Sequence, residues 1–179
     1  NKYQETFFPM IIIALPMILH KFDVSPIFKV IGISYITFRT IQAMVDSHNY
    51  GKLSFIEFTS FLLFPTTLLA GPIDRSYRFQ EDLQKGYENL TFTNIGKGWD
   101  ILLVGVLFKF IFAECVNKFW LIPIDENSVH LLDMMNSAYS YTTYLFFDFA
   151  GYSALAVGLS IMMGITVPMT FNHPYLAPN

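Results

Sequence analysis

The chain has 179 residues, of which 53% are hydrophobic, 17% aromatic and only 14% charged, with a formal net charge of −3. A soluble domain carries about 25% charged residues, and a disordered one combines low hydrophobicity with high charge. This composition, with a mean hydropathy of +0.42, fits neither, and the acidic balance offers no basic footprint for nucleic acid.

The charge distribution is more telling than the totals. Between Met134 and Asn179 the only formally charged side chain is Asp148. A water-exposed surface needs interspersed charge, so this stretch is expected to face lipid or to lie deeply buried. The chain reads as an integral membrane protein at the cell membrane, crossing it several times. Its single cysteine, Cys115, excludes an intrachain disulfide and a multi-cysteine metal centre. Cys115 sits in an apolar run and is expected to be buried filler.

In chain order, Phe7 to Leu19 is an apolar run broken by Pro9 and Pro16, with His20-Lys21-Phe22-Asp23 as its polar exit. No charged segment or cleavage site precedes it, so it does not read as a signal peptide. The first residues, Asn1-Lys2-Tyr3, and the last, Ala177-Pro178-Asn179, lead to the expectation that the chain is a piece of a longer protein: one partial domain over residues 1–179. A helix is predicted from about Ile27 to Asp46, followed by a turn over Ser47–Lys52. Ser54 and Glu57 have the spacing of a capping box. The helix they open is expected to run from Phe55 to about Leu69 and to stop at Gly71-Pro72. Asp74 to Glu88 is polar, and Tyr77, Phe79 and Leu83 make it a weakly amphipathic surface helix. Gly96 and Gly98 are expected to precede a span from Trp99 to about Ile122. A loop over Pro123–Asp133, a span from about Ser137 to Met163 and an uncharged, Pro-containing tail complete the chain. Segment 72–98 carries Arg75, Arg78, Lys85 and Lys97, whereas 123–136 carries no Lys or Arg. The bias of basic residues towards cytoplasmic loops therefore places 72–98 and the tail inside and 123–136 outside.

Ionisable groups at membrane depth are costly and usually face a bundle interior or a wet cavity. Tyr141, Tyr144, Asp148 and Tyr152 fall on one helical face, and Ala150, Ala154 and Gly158 on another. The first face suits polar contact; the second suits close approach of another helix. Asp148 can serve as structural glue between helices or touch a substrate. Tyr35, Arg39, Gln42 and Asp46 form a similar stripe. Arg39 keeps its charge and needs a carboxylate such as Asp148, carbonyls, or a route to the headgroups. Glu114 and Lys118 make a favourable i, i+4 pair, and Lys109 lies nearer mid-span. His20, His48, His130 and His173 have no partner at metal-ligand spacing and none falls in a nucleophile motif; no metal or cofactor is expected.

Four strings go further. They are Gly32-Ile-Ser-Tyr-Ile-Thr-Phe-Arg39; Leu63-Phe-Pro-Thr-Thr-Leu-Leu-Ala-Gly-Pro-Ile-Asp-Arg75 with Arg78-Phe79 and Glu81-Asp82; Tyr144-Leu-Phe-Phe-Asp-Phe-Ala-Gly-Tyr-Ser153 with Ala156-Val-Gly158; and Met163-Gly-Ile with Phe171-Asn172 and Pro174-Tyr175. Together and in this order, from Ile31 onward, they resemble the membrane-bound O-acyltransferase family. Gly-Pro-Ile-Asp-Arg and Phe-Phe-Asp-Phe-Ala-Gly resemble its teichoic-acid D-alanylation branch.

The resemblance implies an all-α polytopic bundle, present here in part, with short amphipathic or re-entrant helices around a funnel. It implies a D-alanine donor held as a thioester on a small cytoplasmic acyl carrier protein, and a teichoic or lipoteichoic acid acceptor. The family's catalytic histidine is expected beyond Asn179, and His173, in the Asn-x-Pro turn, does not match it. No catalytic residue is therefore assigned within this chain. Tyr35, Arg39, Gln42, Asp74, Arg75, Tyr144, Asp148 and Tyr152 are the candidates for the funnel wall or a structural polar network. Alternatives are an alginate-type polysaccharide O-acetyltransferase and, in another class, a transporter or noncatalytic scaffold.

Overall fold

The structure is a computed structural model that describes residues 33–51, 53–68, 71–72, 74–122 and 130–171. The expected features at Phe7–Leu19, His20–Asp23, 27–32, 123–129 and 172–179, His173 included, lie outside the described residues. All regular structure among the described residues is helical, and the chain divides into two units: Asn1–Asn89 with Gly164–Pro168, and Leu90–Met163 with Met169–Asn179.

In the first unit α1 spans Ile33–Tyr50. It extends past Asp46 through residues expected to turn. Ser47 Oγ donates to Met44 O (2.8 Å) and Asn49 Nδ2 to Val45 O (3.2 Å), so these side chains bond to the helix instead of breaking it. Gly51, at φ 114°, supplies the left-handed residue that ends it. Helix α2 spans Phe55–Leu62 and opens with the expected capping box: Ser54 N–H donates to Glu57 Oε2 (2.8 Å) and Glu57 N–H to Ser54 Oγ (3.3 Å). It stops short of Leu69. Pro65 offers no N–H and forces its predecessor out of the helical region; Phe64 accordingly has ψ 118°, and Pro65–Thr67 forms a separate 3₁₀ turn.

Helix α3 covers Ser76–Asn89, close to the expected span. Its N-terminus sits on Asp46 of α1, whose Oδ2 accepts from Ser76 N–H (2.8 Å) and Ser76 Oγ (3.1 Å). Its Oδ1 accepts from Gln42 Nε2 (2.9 Å) and faces Arg75 Nη1 (3.3 Å). A carboxylate there satisfies orphan N–H groups and complements the helix dipole. Phe79 of α3 packs edge-on against Phe61 and Phe64, at 5.5 and 5.2 Å between ring centres; all three are buried. Tyr50 stacks on Tyr77. Leu83, expected on the apolar face, is exposed. The segment after Gly164 returns to α3, where Asn89 Nδ2 donates to Gly164 O and Thr166 N–H to Asp82 Oδ2.

In the second unit α4 begins at Phe92, capped by Thr91, and runs to Val106. It passes unbroken through π-helical Leu107–Phe112, α-helical Ala113–Val116 and π-helical Asn117–Leu121. Gly96 and Gly98 lie inside this rod, not before it. Helix α5 spans Leu131–Met162, starting earlier than expected and taking Asp133 into its first turn. At about 1.5 Å per residue its 32 residues exceed the roughly 30 Å of a hydrocarbon core. Among the described residues it is the one helix long and apolar enough to cross a membrane.

The rod and α5 run antiparallel along their length. Gly98 faces Gly158, Gly105 faces Gly151, and Trp120 Nε1 donates to Asn136 Oδ1 (2.8 Å). A methyl added at Gly105 would lie 2.7 Å from Leu155 N and 2.9 Å from Gly151 O; one at Gly158 would lie 2.7 Å from Gly98 O. No side chain fits there. Of the face expected to pack, Gly158 makes the close contact and Ala150 is buried; Gly98, Gly105 and Gly151 complete it. Phe108, Phe112 and Phe147 interlock further along. The outward surface is apolar, with Phe110, Phe119 and Leu132 exposed. Cys115 is exposed too, which corrects the expectation of buried filler: the rod turns that face away from α5.

Thermal unfolding of the full-length protein in detergent should separate the glycines. Gly105→Leu, forced against backbone, should destabilise by about 1–3 kcal/mol. Gly96→Ala, with open space around it, should be neutral or stabilising by about 0.5–1 kcal/mol. Equal melting points for the two would refute the contact. In the same assay Asp46→Asn presents a donor to donors and should cost about 2 kcal/mol, more than Asp74→Asn, whose Oδ2 has no hydrogen-bond partner to lose.

Candidate functional site

The sequence candidates fall into two clusters, one in each unit. In the first, α1 supplies Tyr35, Arg39 and Gln42. Tyr35 donates its hydroxyl to Gly71 O (3.0 Å) and Pro72 O (3.2 Å). Arg39 is 3% exposed. Its Nη1 donates to Thr67 O (3.0 Å) and Thr67 Oγ1 (2.8 Å), and its Nη2 to Phe61 O. The guanidinium also lies 4.4 Å from the centre of the Phe61 ring. Of the partners open to it in the sequence, Arg39 takes carbonyls.

One of them, Phe61 O at the end of α2, needs a donor because Pro65, four residues on, has no N–H to give it. The last carbonyls of a helix have no intrahelical partner, and a cation is favourable there. Gln42 serves Asp46, so it orients the carboxylate that caps α3.

Asp74 lies just ahead of α3 and is buried. Its Oδ1 accepts from Arg75 N–H (2.8 Å) and faces Arg78 Nη1 at 3.6 Å; Oδ2 is buried without a hydrogen-bond partner. Burial raises its pKa above the ordinary carboxylate value, against the opposing pull of the Arg75 N–H and the Arg78 charge. The neutral acid is thus favoured in the folded state, and stability from this group falls as pH rises through its raised value. Arg75 reaches back to Asp46 while remaining half exposed. Tyr35 and Arg39 thus bond to the segment from Phe61 to Pro72, and Gln42 and Arg75 meet on Asp46.

The second cluster joins Asp148 to a residue left outside the candidate set. Lys109 Nζ donates to Asp148 Oδ1, and the same ammonium lies 5.9 Å from the Tyr152 ring centre. Lys109 stands in the first π-helical stretch, where a widened turn shifts the helical face. Gly151 lets its backbone come close: a methyl on Gly151 would sit 2.6 Å from Lys109 N. Tyr144 packs against Tyr141 instead. Glu114 and Lys118 form the expected i, i+4 pair at 3.1 Å, largely exposed.

The candidate set leaves out Asp46 and Lys109, both noted in the sequence as polar residues on apolar helices; Gly98 reads there as a helix boundary, and Thr67, Gly105 and Gly151 are given no role of their own. The seven-residue spacing of Gly98–Gly105 and Gly151–Gly158 was the available signal for the helix contact. Among the described residues, no three metal-ligating side chains come together. A groove of about 430 Å³ lies between α1 and α2, lined by Ala43, Met44, Leu53, Phe55 and Phe58 with Ser47 and Ser54. It contains no ionisable group. The chemistry available in the described residues is charge placement and hydrogen bonding.

No family model matches the chain. Individual proteins do. The chain is 37% identical to the teichoic acid D-alanyltransferase of Bacillus subtilis over 83% of its length, covering 39% of that protein. It is 32% identical to the teichoic acid D-alanyltransferase of Streptococcus thermophilus over 93% of its length, covering 43% of that protein. It is 29% identical to a probable alginate O-acetylase of Azotobacter vinelandii over 89% of its length, covering 32% of that protein. The chain therefore spans about two fifths of the D-alanyltransferases it matches. Four motifs in order, an all-helical structure and similarity to transferases of two acyl groups agree: the chain belongs to the membrane-bound O-acyltransferase family.

Proposed function

We propose that the protein of which this chain forms part transfers D-alanine to the hydroxyls of teichoic or lipoteichoic acid. The observation that carries this reading is the likeness to teichoic acid D-alanyltransferases at 32–37% identity over 81–93% of the chain. The probable alginate O-acetylase reaches 29% and fits less well. An apolar exterior and a helix long enough to cross a membrane support a multi-pass position in the cell membrane. An acyl carrier protein bearing D-alanine as a thioester completes the proposal as the cytoplasmic donor.

Acyl transfer to an alcohol needs a base for the hydroxyl proton and stabilisation of developing negative charge. The described residues hold positions and charges but bring no histidine to either polar cluster. The base is assigned to the histidine that the family places after the segment matching Phe171 to Leu176. This chain supplies part of the wall against which the substrates are aligned.

Two measurements test the reading. Replacing that histidine in the full-length protein should remove D-alanine ester from teichoic acid in living cells at normal protein level; unchanged ester would sink the proposal. For topology, Gln84→Cys, exposed on α3, in a Cys115→Ser background should react with an impermeant thiol reagent only from the cytoplasmic side. Reaction from outside alone would invert the arrangement read from the basic residues.

A further inference from the structure

Arg39 and Lys109 are both cations held among apolar helices, and they are treated differently. Arg39 is 3% exposed, enclosed by two carbonyls, a hydroxyl and a ring. Lys109 has one acceptor, Asp148 Oδ1. Two of its three ammonium protons find no acceptor among the described residues, and Asp148 Oδ2 finds no donor there. The two side chains remain 27% and 30% exposed. A pair serving only to join the rod to α5 gains nothing from this open side, because polar groups facing hydrocarbon are costly. The glycine contact already joins the helices without it.

The open side presents a donor and an acceptor next to each other. A simple anion would meet the carboxylate and a simple cation the ammonium; an acyl chain would satisfy neither. A hydroxyl group satisfies both at once, donating to Asp148 Oδ2 and accepting from Lys109 Nζ. Alcohols are what an O-acyltransferase modifies.

Resting on the function proposed above, we propose that Lys109 and Asp148 form a subsite for a hydroxyl of the acceptor polyol, next to the one that is acylated. Tyr152 forms one side of this subsite, and Gly151 gives Lys109 the room to reach it. The pair positions the acceptor and takes no part in bond making.

The test uses the full-length protein in membrane vesicles, with purified lipoteichoic acid as acceptor and the D-alanyl thioester of the carrier protein as donor. Lys109→Met combined with Asp148→Leu replaces the ion pair with apolar groups of similar size, an exchange that leaves stability near neutral or improves it. The double variant should raise KM for lipoteichoic acid about tenfold or more, as expected for loss of charge-assisted hydrogen bonds, and leave KM for the donor unchanged. A rise of less than about threefold, or an equal rise for both substrates, would overturn the subsite. Asp148→Asn, which can still accept a hydrogen bond from the ammonium and from a hydroxyl, should fall between wild type and the double variant.

A second measurement needs neither folding of a variant nor turnover. Lipoteichoic acid should protect Lys109 of the wild-type protein from an amine-reactive reagent, read by peptide mass spectrometry, and the thioester donor should not. Absence of protection overturns the subsite. Failure of the wild type to transfer D-alanine overturns the proposed function instead, and the labelling still decides the subsite.

Discussion

The contact between Gly98 and Gly105 on one helix and Gly158 and Gly151 on the other governs most of the remaining contacts of the second unit. In lipid no hydrophobic effect drives helices together, so association depends on close packing. Four residues without side chains let two backbones approach to a distance at which any Cβ would clash. That approach fixes an antiparallel register. The register then brings Trp120 to Asn136, Phe112 to Phe147 and Lys109 to Asp148. Glycine costs a helix about 1 kcal/mol per residue relative to alanine; here that cost is offset by dispersion along the whole interface. The π-helical stretches beyond Gly105 matter for the same reason. Seven-residue spacing and a 3.6-residue turn drift apart along a straight helix, and a widened turn re-phases the face.

The first unit depends on charge and not on close backbones. Helix α1 offers its cation, Arg39, to the C-terminal carbonyls of α2, and its anion, Asp46, to the N-terminal amides of α3. Both assignments follow the sign of the helix dipole. Each also fills hydrogen-bonding positions that a helix terminus leaves open. The break at Pro65 is what exposes Phe61 O, and the turn that follows it supplies Thr67. Removing it would free α2 to continue and leave the arginine buried without its partners, so the proline and the arginine are two halves of one device.

These mechanisms explain what was legible in the amino-acid order. Local rules succeeded where the chain's own neighbours decide the outcome: the Ser54–Glu57 box, the extent of α3 and the shared face of Asp148 and Tyr152. They failed where a distant backbone decides. Gly96 and Gly98 look like a helix boundary, but Gly98 is where α5 lies against the rod. Ser47 to Tyr50 look like a turn, but their side chains can bond back to the helix. Arg39 looked open to a carboxylate such as Asp148, whereas carbonyls satisfied it once Pro65 had ended α2. Lys109 was visible as unusual and remained unassigned because its partner depends on the helix register, which no local pattern encodes.

Lys109 also separates two uses of charge inside an apolar protein. A cation that only holds the fold together is best enclosed, because charge left open in a low-dielectric setting is destabilising. Arg39 is enclosed, at 3% exposure, between Thr67 and Phe61. Lys109 and Asp148 stay 27% and 30% exposed, although the helices around them are closely packed and Gly151 is placed to admit the lysine. Exposure by itself does not distinguish a wet cavity from lipid; an open donor beside an open acceptor, with the backbone cleared to align them, suits a hydroxyl-bearing ligand and not hydrocarbon. Lipid would penalise that arrangement at every moment of the protein's life; a hydroxyl-bearing substrate would complete it.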